Sequence, residues 1–172
     1  EPPNLKLVQE SEEVATSTES QHSKDFSIEL GLNKMDGATF REGESLSIFF
    51  RSDEDCYLLL LYQDVLGNRY ILYPDKEAQH NVKLRAGKGY ELPENYKLQV
   101  SCEPACGAEM IWAFASEIPV ETTGATKNLN NSRLWGYPAS FSLAKILGQQ
   151  RGIKRSEKKA EARVYLTTVH RK

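Results

Sequence analysis

The run Tyr57-Leu58-Leu59-Leu60-Leu61-Tyr62 constrains this chain most, because six consecutive residues of this kind leave no polar side for water. An alternating strand buries one face, whereas an uninterrupted one fits a central strand covered on both. Leucine alone would allow a helix, but the run is strand-sized and the Gly67-Asn68 turn that follows suits a hairpin. Residues 69–73 are then expected to pair back, with Pro74 ending the strand because it has no N–H for the ladder. No apolar run approaches the ~18 residues of a membrane-spanning helix.

The other apolar segments are short and mostly of period two. Phe26, Ile28, Leu30 and Leu32 alternate over 26–32, and Asp36-Gly37 supplies a turn. Over 44–50, Leu46, Ile48 and Phe50 share one face while Ser45, Ser47 and Phe49 share the other. Short β pieces follow at 81–84, 90–92 and 96–100, punctuated by Gly87, Gly89 and Pro93, and 109–115 carries Met110, Ile111, Trp112 and Phe114. A helix is predicted over 140–150, where Phe141, Ala144, Leu147 and Gly148 share a face, Ser140 can cap the start and Gly152 can end it. A final strand is expected over 161–169, with Ala162, Val164, Leu166 and Thr168 alternating against Arg163, Tyr165, Thr167 and Val169.

Closely spaced strands with turn residues between them predict a mostly β fold: an antiparallel immunoglobulin-like β-sandwich of about seven to nine strands, with one helix before the last. Leu46, Ile48, Phe50, Leu59, Leu61, Ile71, Ile111 and Phe114 are its expected core. With 172 residues, 40% of them hydrophobic and 27% charged, the chain has material for one ordinary core. Residues 1–24, rich in Glu, Ser, Thr and Gln, read as a polar arm, and 25–172 as the domain.

A net charge of −2 gives no global reason to expect nucleic acid or an anionic membrane as partner. The charge is uneven, with an acidic start and a basic end that includes Arg151, Lys154 and Arg155. The polar beginning at Glu1, without methionine, is as expected of a mature protein whose targeting segment has been removed, and a lipid anchor ahead of Glu1 is compatible with it. Three cysteines do not make a disulfide framework. Cys102 and Cys106 bracket Glu103-Pro104-Ala105, a spacer that can bring two Cα atoms within disulfide range, so a bridge is expected in an exported protein. Cys56, inside an apolar stretch, reads as a buried free thiol.

Local signals for chemistry are weak. Asp53, Glu54 and Asp55, with Asp64 or Asp75 at neighbouring strand ends, could gather oxygen ligands for calcium, but their spacing matches no EF-hand and solvated loops explain them better. His22, His80 and His170 are far apart in sequence, and a zinc site with Cys102 and Cys106 would need convergence in space. Gly87-Lys88-Gly89 lacks phosphate-loop spacing, since Val82 stands where a glycine is required, and no Gly-x-Ser-x-Gly elbow occurs. No catalytic residue, metal ligand or cofactor is assigned.

Trp135-Gly136-Tyr137-Pro138 could present Trp135 and Tyr137 as an aromatic contact surface, extended by Arg151, Lys154 and Arg155. The plainer reading makes Trp135 a pin holding the helix to the sheets and the basic stretch a solvated loop.

The series Phe40-Arg41-Glu42-Gly43-Glu44-Ser45-Leu46, Asp55-Cys56-Tyr57-Leu58, Asp64-Val65-Leu66-Gly67-Asn68 and Tyr70-Ile71-Leu72-Tyr73-Pro74 is ordered and specific as a set. It continues with Ala86-Gly87-Lys88, Leu92-Pro93, residues 104–109 and Trp112-Ala113-Phe114-Ala115-Ser116. In this the chain resembles the bacterial domain-of-unknown-function family numbered four-three-eight-four, over residues 26–119. The resemblance implies a β-sandwich of exported or envelope proteins, often joined to caspase-like peptidases or kinases, and no transferable catalytic residue. The Cys102/Cys106 loop and the excursion over 121–159 depart from that pattern.

These readings lead to a noncatalytic interaction or assembly module outside the cytoplasm, in the periplasm, at the outer membrane or secreted. Its expected partner is another envelope protein, met through sheet edges or the excursion. A small-molecule or glycan-binding domain with an aromatic-lined pocket is the alternative, and an enzyme assembled only in space the third.

Overall fold

The computed structural model describes residues 26–74, 82–94, 97–120, 122, 124–127, 134–142 and 158–172. The polar arm, most of the predicted helix and the basic residues Arg151, Lys154 and Arg155 lie outside the described residues. Of the predicted helix, only residues 140–142 are described, and they form a turn and bend.

The described residues contain nine strands and no helix: β1 (Ile28–Leu32), β2 (Thr39–Arg41), β3 (Ile48–Ser52), β4 (Tyr57–Gln63), β5 (Arg69–Tyr73), β6 (Gly89–Leu92), β7 (Ala108–Ser116), β8 (Gly136–Tyr137) and β9 (Lys159–Val169). They form a three-stranded sheet, β1-β3-β6, and a six-stranded sheet, β2-β9-β7-β4-β5-β8. The smaller sheet is antiparallel. The larger is mixed, because β2 runs parallel to β9 with Thr39 opposite Thr167 and Arg41 opposite Val169. This corrects the all-antiparallel expectation. Parallel neighbours need a long connection, and everything between β2 and β9 serves as one.

The central run behaves as its composition demands. Leu58 and Leu60 point into a core shared with the smaller sheet, against residues such as Ile48, Phe50, Ile111 and Leu166. Leu59 and Leu61 point the other way, into a second cluster with Ile71, Trp112, Phe114, Val120 and Tyr137. All eight predicted core residues are buried. They divide between two cores, because a strand without alternation feeds both faces of its sheet.

The outer face is covered by the chain that follows β7. Ala125, Trp135 and Phe141 pack there, and β8 pairs Gly136 with Tyr70 and Tyr137 with Arg69 at the sheet edge. Ile71 N–H donates to the Trp135 carbonyl at 2.7 Å. Trp135 and Tyr137 thus close a sheet face. Tyr137 is fully buried, which removes it from the expected contact surface, and burial pushes its phenol up to about 12.

Two expected strands are thinner than predicted. Of the 81–84 piece, the described residues 82–84 hold one bridge, between Leu84 and Cys56, and of 96–100 the described residues 97–100 hold one, between Gln99 and Ser45. Strands β2 and β8 escape sequence reading because two or three residues carry no measurable period.

Candidate functional site

The inward face of the six-stranded sheet is apolar along most of its length and polar at one end. Inward positions recur every second residue, so Tyr62 continues Leu60 in β4, Tyr70 precedes Leu72 in β5, Glu109 precedes Ile111 in β7, and Thr168 follows Leu166 in β9. Beyond the start of β3, Leu46 and the segment 98–104 face these positions and enclose a cavity of about 610 Å³.

At its floor lies Glu109, 5% exposed. Tyr62 donates its phenolic hydrogen to Glu109 Oε2 at 2.6 Å, and the Thr168 hydroxyl donates to Oε1 at 3.1 Å. Gly107 N–H donates to Thr168 Oγ1 at 3.0 Å, which ties β9 to the start of β7. The Tyr62 and Tyr70 rings stack at 5.9 Å. Tyr70 in turn donates to Asp64 Oδ2 at 3.3 Å.

The two buried carboxylates are held differently. Asp64 is a turn residue: Oδ1 accepts from the Leu66 and Asn68 N–H groups, and Oδ2 from the Asn68 amide. Those donors shape the β4–β5 hairpin, where Gly67 takes φ 87, a conformation that side chains with a Cβ resist. Glu109 has only its two hydroxyl donors among the described residues. Burial pushes its carboxyl above the ordinary value, against the pull of Tyr62 and Thr168, and the charge of Asp64 adds to the rise. Burial first, then Glu109, pushes the Tyr62 phenol strongly up, so it stays a proton donor and is no base. Among the described residues the lining includes Asp64, Glu103 and Glu109 but neither lysine nor arginine. The cavity is therefore apolar-walled and anionic, suited to a positively charged group or a strong hydrogen-bond donor.

Cys102 and Cys106 are bridged, with Cα atoms 4.4 Å apart. Their loop forms part of the cavity rim through Glu103 and Pro104. Cys56 is a buried free thiol whose pKa is raised by burial, the profile of a small core hydrophobe. Alkylating the denatured chain without reductant should label a single thiol, read by mass spectrometry; three labels would refute the bridge.

His170, expected to stand apart from the cysteines, lies with a ring nitrogen within 4.8 Å of both sulfurs. The convergence is tertiary, since 64 positions separate His170 from Cys106. His22 and His80 lie outside the described residues. Of the acidic residues considered for calcium, Asp53 accepts from Ser27, Asp55 from Ala86 and Arg85, and Glu54 pairs with Lys158. The Ser27 and Ala86 N–H groups are the leading causes that hold Asp53 and Asp55 below their ordinary values. Each is committed to joining loops, and Asp75 lies outside the described residues. Lys88 sits over the Tyr90 ring at 5.3 Å, while Gly87 N–H donates to the Ser52 carbonyl.

Sequence reading missed Glu109, Tyr62, Tyr70 and Thr168 as a group. The available signal was parity: each occupies an inward position of a strand whose other inward residues are apolar.

Two sheets around a shared core, with an anionic cavity at one end, define a mixed β domain. Residues 39–119 match the family described as Domain of unknown function (DUF4384). The match includes Tyr62, Asp64, Tyr70, the cysteine loop and Glu109, and stops before the outer cover and β9. No curated protein and no solved structure matches the chain.

Proposed function

We propose that this chain is a noncatalytic binding module of an exported bacterial protein, built on an immunoglobulin-like scaffold, whose cavity receives an organic cation with an apolar body. Buried Glu109 carries the proposal: it has hydroxyl donors but no basic side chain among its described partners, so an ammonium group would supply the missing counter-charge. Tyr62 and Tyr70 add aromatic surface of the kind that favours cations. The disulfide supports a place outside the reducing cytoplasm.

Calorimetric titration with primary and quaternary alkylamines tests it. The wild type should bind, and Glu109→Gln, which keeps the shape and removes the charge, should bind at least ~10-fold more weakly, a loss of about 1.4 kcal/mol. Equal binding by both proteins, or preference for anions, would sink the assignment.

Docking of a protein strand is the second reading. Strands β1 and β6 are the outer members of the smaller sheet, and Phe49 between them is 41% exposed on its outer face.

A further inference from the structure

The strand register that builds the cavity also assembles a set of ligands behind its rim. In the β7–β9 pair, Ala108 stands opposite Thr167, and Thr168 N–H donates to the Gly107 carbonyl at 2.8 Å. Continuing that antiparallel run brings the residue after Val169 alongside the end of the cysteine loop. On the other side of β9, the parallel β2 ladder pairs Arg41 with Val169, and Glu42 N–H donates to the Val169 carbonyl at 2.9 Å. His170 is thereby placed between Glu42 and the Cys102–Cys106 loop. Its Nδ1 lies 3.5 Å from Glu42 Oε2, and a ring nitrogen lies within 4.8 Å of both sulfurs.

We infer that Cys102, Cys106 and His170 form a redox-gated site for a thiophilic d10 cation, Zn2+ or Cu+, with Glu42 as the positioning residue for the imidazole. Three residues separate the cysteines, a spacing found in thiolate metal sites as well as in bridges. Two thiolates and an imidazole are the donor set that soft and borderline ions prefer. A carboxylate accepting from Nδ1–H leaves the Nε2 lone pair for the ion and fixes the ring, as carboxylates commonly do behind ligating histidines. Cys102 is buried, Cys106 partly so and His170 exposed, so the site has a solvent entry.

The bridge closes the site and reduction opens it. Two equivalents of a thiol reductant convert the disulfide to two cysteine thiols and are themselves oxidised to one disulfide. A divalent ion then displaces two thiol protons, which leave to solvent, and forms two metal–sulfur bonds; a cuprous ion forms the same bonds with the same release.

The test uses the full chain, either oxidised or reduced with a phosphine and freed of oxygen, titrated separately with Zn2+ and Cu+ against a chromogenic chelator. Co2+ serves as the spectroscopic probe of the zinc arm. The reduced chain should bind a single ion with sulfur-to-cobalt charge-transfer bands, and the oxidised chain should lack both. His170→Ala and Glu42→Gln should each weaken binding by ~10-fold or more, with only the former changing the cobalt spectrum strongly. Both residues are largely exposed or at the surface, and an unchanged circular dichroism spectrum confirms that the variants fold. Tight binding of either ion by the reduced chain identifies the cargo. Equal binding by both redox forms, an unchanged affinity in His170→Ala, or no binding of either ion would overturn the proposal.

Discussion

Leu60→Ala and Leu59→Ala are each expected to destabilise the protein by about 2–5 kcal/mol, although the two side chains point to opposite faces of one strand. Both residues are fully buried. Leu60 loses contacts in the core between the sheets, and Leu59 loses them in the cluster capped by Val120, Tyr137 and Phe141. Chemical denaturation measures each cost. The Leu59 result is the more diagnostic, because an uncovered outer face would leave its side chain in water in both states. A cost below ~1 kcal/mol for Leu59→Ala would mean that the chain after β7 does not seal the sheet.

Tyr62→Phe should cost about 1.5–3 kcal/mol near neutral pH, since it removes a charge-assisted hydrogen bond from a buried carboxylate and leaves Oε2 unsatisfied. The cost should depend on pH, with a definite sign. Burial raises the folded-state pKa of Glu109 above its ordinary value of 4.5. Stability linked to the neutral carboxyl is therefore fully present below about 4.5 and is lost as pH rises through the folded value. Tyr62 opposes that loss by stabilising the charged form, so its removal pushes the folded value higher still. The deficit of Tyr62→Phe should be smallest in acid and grow as Glu109 ionises. Urea titrations across this range would show it, and a constant deficit at every pH would mean that Glu109 does not change charge there.

The redox site and the cavity share a loop, since Glu103 and Pro104 line the cavity while Cys102 and Cys106 flank them. Each can nevertheless be tested without the other. Glu109→Gln removes the cavity's central charge and leaves both thiols and the imidazole in place, and His170→Ala does the reverse.

Local sequence determined a good deal about this protein. The unbroken run from Tyr57 to Tyr62 pointed to a strand buried on both faces, Gly67 and Asn68 to the hairpin, period-two segments to β1, β3 and β9, and the mixed apolar run 109–115 to β7, together with the core residues they bury. These inferences hold because burial parity and turn geometry are properties of a few consecutive residues. The tertiary structure alone decided that β2 joins β9 in parallel, that the buried residues divide into two cores, and that Tyr137 belongs to one of them. It also decided that Tyr62, Glu109 and Thr168 meet under a cavity, and that His170 stands beside Cys102 and Cys106. The physical reason is the same in each case. Parity states which side of a strand a residue occupies, but which strands become neighbours, and in what register, is fixed by packing between segments far apart in the chain.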